Sequence, residues 1–309
     1  MTTTARDTFS VYHSMFMDDL EAANKAPKTL EAYGIAVRQL GVFLRSTGMP
    51  LEPASLTGEH LREFMRYLGR PKPEGLALGD ATRNQRFKAL AAFFKFLKAN
   101  DEITESPLKN LRAPAVPLKM VPVIKMSDIN KLMRSLSGSD YDSRLDKAMV
   151  SLFIDCGFRI SEMVSMRLSK LNVDEREVTV FGKGRKERRV KFTVETRKDL
   201  NRYLLKRVAH EQASSDFLWL GQRGPLSRSG TYRRIVGRCN DAGLPPVHPH
   251  MLRHTMVHEY LHNGGNEGDL MKVTGWTTRA MVDRYGASAA SQRAMDAHDT
   301  FSPRKLLKY

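Results

Sequence analysis

Side chains suited to phosphate chemistry are concentrated in one segment, from residue 249 to residue 285. The segment places Arg253 between two histidines and continues through a Gly-Trp pair at Trp276 to Tyr285, nine residues further on. Guanidinium groups bind phosphate oxygens through two parallel hydrogen bonds, and His and Trp N–H groups can donate to the same oxygens. A nearby tyrosine hydroxyl could then attack the phosphorus atom that these donors polarise. The segment therefore predicts a site where a tyrosine attacks a phosphate ester.

The net charge of the chain favours a polyanionic partner. The 309 residues include 50 Lys and Arg against 34 Asp and Glu, which gives a net charge of +16. Eleven of the basic residues, against three acidic ones, lie between Lys183 and Arg207. Each cation set against a phosphate releases condensed counterions, so this excess favours nucleic acid binding. A basic run by itself is usually only a solvated face.

The composition argues against several other classes of protein. A hydrophobic fraction of 41% is that of a globular protein and does not fit general disorder. No apolar run approaches the roughly 20 residues needed to cross a bilayer, and the N-terminal residues lack the pattern of a secretory signal. The two cysteines, Cys156 and Cys239, lie far apart in the sequence, and we expect reduced thiols in a cytoplasmic protein.

The rest of the fold must position the segment from 249 to 285. The N-terminal part of the chain is predicted to be entirely helical. Apolar residues recur there every three or four positions, which predicts four helices, over 7–24, 28–46, 55–69 and 81–98. Thr57 is the expected N-cap of the third helix. The fourth helix carries Arg83, Arg86 and Lys88 away from its apolar face. This basic rim makes these three residues candidate DNA contacts.

A change of composition after the fourth helix predicts a domain boundary. Residues 106–122 contain four prolines with interspersed Lys and Arg, and such a segment cannot continue a helix. We expect an extended basic linker there. The predicted organisation is an N-terminal domain over 1–110, a linker over 111–123 and a second domain over 124–309.

The second domain is predicted to be mainly helical with one β-hairpin. Its helices are expected from about 127 to 136, at 144–155, at 159–168 and at 194–211, and then to the end of the chain. Two β-prone runs, 177–181 and 188–193, flank a Gly-Lys-Gly turn and predict the hairpin. A hairpin that points basic residues from its turn suits a DNA groove. Near the C-terminus, residues 289–298 are compatible with a short helix.

Five motifs in order carry a resemblance to a known family. The stretch CGFRISEMVSMRL sets Arg159 and Glu162 three residues apart at a helix start, which alone would be read as a surface ion pair. With GKGRKERRV, HMLRH, Gly-Trp and Arg-Tyr following in order, the chain resembles the tyrosine recombinase, or phage integrase, family over nearly its whole length. The resemblance implies a mainly α fold. It would comprise a four-helix SAM-like core-binding domain and an α-rich catalytic domain with a small antiparallel β-hairpin or sheet.

The resemblance implies roles for the residues that match the family motifs. Arg159 and Arg253 would hold the non-bridging oxygens of the scissile phosphate and stabilise the pentacoordinate transition state. Tyr285 would be the nucleophile, forming a 3′-phosphotyrosyl link and releasing a 5′-hydroxyl. Glu162 would orient neighbouring side chains without contacting the phosphate itself.

Proton transfer and DNA contacts are implied in the same way. Lys183 matches the hairpin lysine that protonates the leaving 5′-oxygen, and Lys186 in the same turn is the alternative. His250 would assist proton transfer or bind an oxygen. Trp276 stands where many family members have His, and an indole N–H donates a hydrogen bond but cannot shuttle protons. In the hairpin, Lys186 and Arg188 are also expected to contact DNA.

The implied chemistry requires neither a metal nor a nucleotide cofactor. Transesterification keeps the phosphodiester energy in the protein link, so neither ATP nor a metal ion is expected. An alternative is raised by the run from His258 to His262, which matches the HExxH pattern of zinc proteases. The next ligand position of the longer pattern is Gly268, and a protease does not explain the basic linker, the basic hairpin or the net charge.

The sequence thus predicts a site-specific DNA recombinase that integrates or excises a mobile element. The simple Xer-like architecture, without an arm-binding domain, is expected. Dimer resolution of the Xer type and a type IB topoisomerase are the enzymatic alternatives, and a catalytically inactive DNA-binding protein is the non-enzymatic one.

The resemblance also implies partners and a location. The expected partners are duplex DNA with inverted-repeat half-sites, three further copies of the chain in a tetramer on paired sites, and an optional directionality factor. No membrane partner is expected. The C-terminal tail would dock on a neighbouring protomer. The protein would act in the cytoplasm of a bacterial, archaeal or phage-infected cell.

Overall fold

The computed structural model describes residues 7–71, 77–117, 122–182, 186–245 and 247–307. The chain divides into two units, Met1–Pro117 and Leu118–Tyr309, so the division lies inside the predicted linker. Within the described ranges, no helix is both long enough and apolar enough to span a bilayer.

The first unit contains the four predicted helices. They are α1 (Thr8–Ala22), α2 (Pro27–Thr47), α3 (Gly58–Gly69) and α4 (Asp80–Ala99), and a short 3-10 helix lies at Pro53–Ser55. Thr57 is the N-cap of α3, as predicted, and its hydroxyl accepts a hydrogen bond from the backbone N–H of His60. Such a cap contributes about 1 kcal/mol to helix stability.

Aromatic side chains fill the core between these helices. Phe9 and Phe16 each meet Phe93 edge to face, with ring centroids 5.7 Å and 5.3 Å from that of Phe93. The chain that follows α4 also belongs to this unit, because Leu108 is buried in the same core. The Asn84 side chain donates a hydrogen bond of 2.7 Å to the Pro114 carbonyl. The first part of the predicted linker is therefore anchored to the N-terminal helices rather than extended in solvent.

The second unit is built mainly of helices. They are α5 (Met126–Ser135), α6 (Tyr141–Cys156), α7 (Ile160–Val164), α8 (Val194–Arg207), α9 (Arg228–Asp241), α10 (Pro249–His262), α11 (Glu267–Thr274) and α12 (Arg279–Phe301). Single 3-10 turns lie at Leu168–Lys170 and Pro303–Leu306. Helix α6 is the central one, buried along most of its length. It packs against α8 and α10 and carries the turn that leads into Arg159.

Two small antiparallel sheets accompany these helices. The first joins β1 (Leu171–Asn172), β2 (Glu177–Phe181) and β3 (Glu187–Lys191) in that order, and β2 and β3 form the predicted hairpin. The second joins β4 (Leu220–Gly221) and β5 (Gly224–Pro225). The mainly α fold with a small antiparallel sheet is confirmed, but β4 and β5 interrupt a region that the sequence pattern predicted as helical.

Two predicted helices are too long. The helix expected over 159–168 ends at Val164, because the backbone of the next residues pairs with another segment: Leu218 donates to Met166, and Leu168 donates to Asp216. The helix expected over 194–211 ends at Arg207. The buried Arg207 guanidinium donates to four carbonyls of the chain that follows, which turns it back onto α8.

The predicted short C-terminal helix is also wrong in extent. Helix α12 runs without a break from Arg279 to Phe301 and includes Tyr285 and the tail run 289–298. Gly286 lies in its middle, where glycine costs about 1 kcal/mol relative to alanine. A Cβ atom at Gly286 would lie 2.8 Å from Cδ1 of Leu261 on α10. The glycine therefore allows α12 to approach α10 closely, and this packing outweighs the propensity penalty.

Candidate active site

The turn after α6 positions Arg159. Gly157 ends α6 in the left-handed region, with φ of +61°, and a Cβ atom there would lie 2.1 Å from the Met256 methyl. Only glycine fits this turn without strain. Arg159 is the N-cap of α7, and its backbone N–H donates a 2.9 Å hydrogen bond to Oε2 of Glu162. Its guanidinium Nη1 donates to Oε1 of the same carboxylate at 2.9 Å.

Arg253 lies on α10 and is 3% exposed. Its Nη1 donates to the Gly157 carbonyl, and its Nη2 donates to the Thr274 carbonyl at 3.0 Å. Burial, with the charge of Arg159 adding to it, lowers the pKa of Arg253 to about 10. The guanidinium therefore keeps its positive charge at neutral pH.

Guanidinium groups of the site donate hydrogen bonds to carbonyls at the C-terminal end of α11. The Thr274 carbonyl accepts from Arg253 and also from Nη1 of Arg159, at 3.3 Å. The Val273 carbonyl accepts a 2.9 Å hydrogen bond from Nε of Arg188, which comes from β3. Carbonyl groups at a helix C-terminus carry partial negative charge, which favours cations there. Two matched family arginines and one hairpin arginine thus meet at one helix end.

Glu162 is 3% exposed and accepts from both Arg159 and Arg188. The Arg188 guanidinium makes a two-point contact, with Nη1 to Oε1 and Nη2 to Oε2, both 2.9 Å. Burial acts to raise the pKa of Glu162, but the hydrogen bonds and charge of Arg188 outweigh it and hold that pKa below its ordinary value. The carboxylate is therefore ionised at neutral pH.

Tyr285 lies between two flat rings. The Trp276 ring stacks on it with centroids 5.1 Å apart, and the His254 ring stacks with centroids 4.3 Å apart. The Arg253 guanidinium carbon lies 5.4 Å from the Trp276 ring centroid, which is cation–π range. Folding therefore brings the predicted nucleophile and the second family arginine together.

His250 lies in the first turn of α10 and reaches solvent. Partial burial, together with the nearby charges of His248, Arg253 and Arg159, lowers the pKa of His250. Its imidazole is therefore neutral at pH 7 and able to accept a proton. The structure thus brings a neutral histidine to the same helix start as Arg253.

The comparisons with known proteins concern the whole chain. A family model described as "Phage integrase family" matches residues 122–292, and one described as "Phage integrase, N-terminal SAM-like domain" matches residues 14–103. The first match alone covers more than half of the 309 residues. The chain belongs to the phage integrase family. The predicted family of tyrosine recombinases, a class of enzymes that carries out site-specific DNA recombination, is thereby confirmed.

Relatives at the sequence level span most of the chain. "Tyrosine recombinase XerC" of Ralstonia pickettii (strain 12J) is 28% identical over 307 residues, 92% of this chain and 90% of that protein. "Tyrosine recombinase XerD" of Rhizobium meliloti (strain 1021) is 28% identical over 293 residues, 90% of this chain and 91% of that protein. The similarity therefore extends over both units rather than over an isolated motif.

Solved structures share the fold of this integrase family member. The XerH site-specific recombinase, solved with a palindromic difH substrate after cleavage, aligns with a TM-score of 0.74 and 17% identity, over 93% of this chain and 84% of that one. A lambda integrase (75–356) dimer bound to a COC′ core site aligns with a TM-score of 0.69 and 16% identity, over 90% of this chain and 94% of that one. At these identities the likeness concerns the fold alone.

The predicted DNA contacts of this family member differ in their surroundings. Lys183 lies outside the described residues, whereas Lys186 and Lys88 are exposed. Arg83 pairs with Asp80 on its own helix, and Nε of Arg86 donates to the Gln39 side chain at 2.8 Å. Contact of these residues with DNA stays a prediction. Arg188 differs from them because its guanidinium is directed to Glu162.

The HExxH run has contacts to the C-terminal helix. His258 forms a 2.9 Å hydrogen bond through Nδ1 with the Ser288 hydroxyl, and Nε2 of His262 lies 4.0 Å from an Asp296 carboxylate oxygen. Both partners belong to α12. No group of three or more His, Cys, Asp or Glu close enough to hold a metal ion is present in the described part of the chain. The two histidines of this run therefore face α12.

Two features next to the predicted site, His254 and the exposed face of α9, are not evident from the sequence. His254 directly follows Arg253, and the arginine between two histidines was the available signal for it, but no local pattern says that His254 stacks on Tyr285. The α9 helix also presents exposed Arg228, Arg233 and Tyr232. The Tyr232 ring lies 6.5 Å from the His248 ring, which connects this basic face to the site.

His254 should make the stability of the protein sensitive to acid. Burial, with nearby cationic groups, lowers the pKa of His254 to about 4, and its Nδ1 is buried without a hydrogen-bond partner among the described residues. Between about pH 4 and 6.5 the unfolded chain binds the extra proton, so the unfolding free energy falls as the pH falls through this window. The loss between about pH 7.5 and pH 5 should be on the order of 2 kcal/mol.

Urea unfolding of wild-type protein and of His254→Phe at both pH values measures this contribution. Phenylalanine keeps a flat ring against Tyr285 but cannot titrate, so the variant should lose about 2 kcal/mol less on acidification. The same substitution at the exposed His298 controls for the addition of a phenyl ring. An equal acid-induced loss in His254→Phe and wild-type protein would contradict the assignment.

Proposed function

We propose that this chain cleaves and rejoins DNA strands at specific sites through a 3′-phosphotyrosyl intermediate. The observation that carries the proposal is the arrangement of Tyr285. Its ring stacks on Trp276, and the Trp276 ring lies 5.4 Å from the guanidinium of Arg253. A nucleophile beside a fixed cation suits an attack on a phosphodiester, whose oxygens gain negative charge in the transition state.

The proposed cleavage step is a transesterification. The Tyr285 oxygen forms a bond to phosphorus while the bond from phosphorus to the 5′-oxygen breaks. Arg159 and Arg253 bind the non-bridging oxygens. The neutral His250 is our candidate to accept the tyrosine proton, and Lys183 is our candidate to protonate the leaving oxygen. The reverse step joins a 5′-hydroxyl to the same phosphorus and releases the tyrosine.

Duplex DNA with inverted-repeat half-sites is the proposed substrate, and the cytoplasm is the proposed place of action. The net charge of +16, the exposed cation Lys88 of the first unit, and the exposed Lys186, Arg228 and Arg233 of the second unit support contacts with DNA phosphates. Similar solved structures include a lambda integrase dimer bound to a core site and a lambda integrase tetramer bound to a Holliday junction. We infer that four copies of this chain act together on two paired sites, and that a directionality factor can bias the outcome.

Integration or excision of a mobile element is the biological role we propose. Resolution of chromosome or plasmid dimers is the second candidate, because relatives that span about nine tenths of this chain are named XerC and XerD. Both roles use the same strand exchange. Integration joins two sites that lie on separate molecules, whereas excision and dimer resolution act on two sites within one molecule; excision releases an element, and dimer resolution releases two copies of one replicon.

A recombination assay tests the proposal. Purified protein is incubated with two plasmids that carry candidate sites from the DNA flanking its gene, and the products are separated after protease treatment. Recombinant molecules are expected. Relaxed plasmid without recombinants would indicate a topoisomerase, and DNA binding without strand cleavage would indicate an inactive binding protein. Either of these two outcomes contradicts the proposed function.

The C-terminal tail is the proposed link between protomers. After its contacts with α10, the tail exposes large apolar side chains at Phe301, which is 80% exposed, and Leu307, which is 59% exposed. The second unit also has a cavity of about 600 Å³, lined by apolar side chains and by four carboxylates, Asp155, Glu195, Asp199 and Glu259. A tail with Phe301, Leu307 and Lys305 complements such a cavity on a neighbouring copy.

Removing residues 299–309 should weaken assembly without preventing DNA binding. The truncation removes the exposed Phe301 and Leu307 but keeps the contacts of Ser288 and Asp296 with α10. Gel-shift titration should show an unchanged affinity for a single half-site and a loss of cooperativity on paired half-sites of about tenfold or more, or about 1.4 kcal/mol. Full cooperativity and full recombination by the truncated protein would contradict the role given to the tail.

A further inference from the structure

Neighbouring arginines on β3 have opposite surroundings. The Arg188 side chain is 12% exposed and makes three hydrogen bonds of 2.9 Å, two to Glu162 and one to the Val273 carbonyl. The Arg189 side chain is 77% exposed and lies 3.5 Å from the Glu177 carboxylate. Side chains alternate between the two faces of a strand, so one arginine is directed into the site and the other to solvent. Arg188 is therefore committed inside the protein.

The geometry around Arg188 requires glycine at a neighbouring position. Gly275, with φ of +67°, ends α11 directly before Trp276. A Cβ atom at Gly275 would lie 3.1–3.3 Å from three atoms of the Arg188 guanidinium. The guanidinium thus packs against the backbone that leads into Trp276. Arg188 connects β3, the start of α7 and the end of α11 through one side chain.

The charges of Glu162, Arg159 and Arg188 indicate what the contact between Arg188 and Glu162 does. Glu162 is ionised and buried, and it accepts from Arg159 as well as from Arg188. If Arg159 were the only cation on this carboxylate, their charges would cancel, and this pair would add little positive charge to that of Arg253. With two guanidinium groups on one carboxylate, the three side chains carry a net charge of +1. Arg159, whose side chain is 32% exposed, presents that charge to solvent.

We propose that Arg188 is a positioning residue that compensates the charge of Glu162 and so keeps the charge of Arg159 available to the scissile phosphate. The inference rests on the proposed function, in which Arg159 binds a non-bridging oxygen. It differs from the role in DNA contact that the basic hairpin suggested for Arg188. The Arg188 guanidinium acts on the reaction through Glu162 and Arg159, without touching the DNA.

Single-turnover cleavage of a nicked suicide substrate tests the inference. In Arg188→Met, Glu162 keeps its charge and is left with Arg159 alone, so the cleavage rate should fall by about tenfold or more. Binding to a half-site, measured separately, should change little. Arg189→Met is the matched control and should cleave at the wild-type rate at saturating protein, because Arg189 is exposed on the other face of β3.

A second substitution separates charge compensation from a purely structural role. In the double variant Glu162→Gln with Arg188→Met, the buried charges are removed together and the charge of Arg159 is no longer opposed. Neutral replacement of a buried ion pair is often tolerated, so this variant should fold. We expect it to cleave faster than Arg188→Met alone. If the double variant cleaves as slowly as Arg188→Met, or more slowly, the charge role is contradicted.

A modified substrate provides an independent measurement. A methylphosphonate at the scissile position lacks one non-bridging charge and so depends less on Arg159. The rate difference between wild-type protein and Arg188→Met should therefore shrink on this substrate. An undiminished difference would overturn the inference. If Arg188→Met does not fold, Arg188→Gln serves in the same comparison, because it also removes the charge but keeps an N–H donor for Glu162.

The wild-type reaction separates this inference from the proposed function. If wild-type protein forms no covalent complex with DNA, the proposed function fails. If wild-type protein forms the complex and Arg188→Met forms it equally fast, only the inference about Arg188 fails.

Discussion

Replacing Tyr285 by Phe should abolish covalent attachment to DNA while leaving binding to the site intact. The substitution removes one hydroxyl oxygen, the atom that would form the phosphotyrosyl bond, and keeps the ring that stacks between Trp276 and His254. The phenyl ring of the variant would therefore occupy the same space, and the protein surface that faces DNA would not change. Wild-type protein should accumulate a covalent complex on a nicked suicide substrate, visible as a slowly migrating band on a denaturing gel.

Other tyrosines of the second unit provide the matched controls. Tyr203 is fully buried, and its hydroxyl donates to the Leu218 carbonyl at 2.8 Å. Burial raises the pKa of Tyr203 far above its ordinary value, which makes it a poor nucleophile. Tyr260 packs against the α10–α12 core. Tyr260→Phe should still form the complex. A covalent adduct that persists in Tyr285→Phe, or that maps by peptide analysis to another tyrosine, would refute the assignment.

Replacing Arg253 by Ala should slow cleavage by at least ~100-fold, or ~2.7 kcal/mol, the scale for losing one preorganised transition-state donor. A free tyrosine has a pKa of about 10 and is a weak nucleophile unless nearby cations stabilise the developing charge. The Arg253 guanidinium is held by the Gly157 and Thr274 carbonyls, so its orientation is set before DNA binds. Single-turnover cleavage at saturating protein measures the loss.

Arg253→Ala also leaves the Gly157 carbonyl without its guanidinium donor, so the stability of the variant must be measured beside its activity. Arg253→Lys keeps the charge but loses the fork that spans two carbonyls, and we expect an intermediate rate. Arg279→Ala, at an exposed position of α12, is the control and should cleave like wild-type protein. A wild-type rate in a folded Arg253→Ala protein would contradict the role proposed for this arginine.

Much of the architecture follows from local patterns along the chain. The apolar spacing of the first 100 residues predicts α1 to α4, because a helix that buries one face must repeat that face every three or four residues. The hairpin of β2 and β3 follows in the same way from two β-prone runs around a turn. The order and spacing of five motifs predict the family, and the match of the family model to residues 122–292 confirms it.

Element ends and the inner contacts of the site depend on segments that are distant in the sequence. Helix α7 stops at Val164 because the following backbone pairs with residues 216–218, and α12 passes through Gly286 because Leu261 packs against it. Local helix propensities do not include the effect of either distant partner, residues 216–218 or Leu261. A prediction from local sequence patterns therefore makes α7 too long and detects only a short part of α12.

The contacts of Arg188 and His254 also could not be predicted from the sequence, because their partners come from distant segments. In the sequence, Arg188 is one of several cations of a basic hairpin, and nothing nearby distinguishes it from Arg189. The fold separates them by placing Glu162, 26 residues away, beside one and solvent beside the other. His254 meets Tyr285 only because α10 and α12 pack together. Residue types and their order point to the chemistry, but the partners of each charge and each ring are decided by tertiary packing, because they come from different elements.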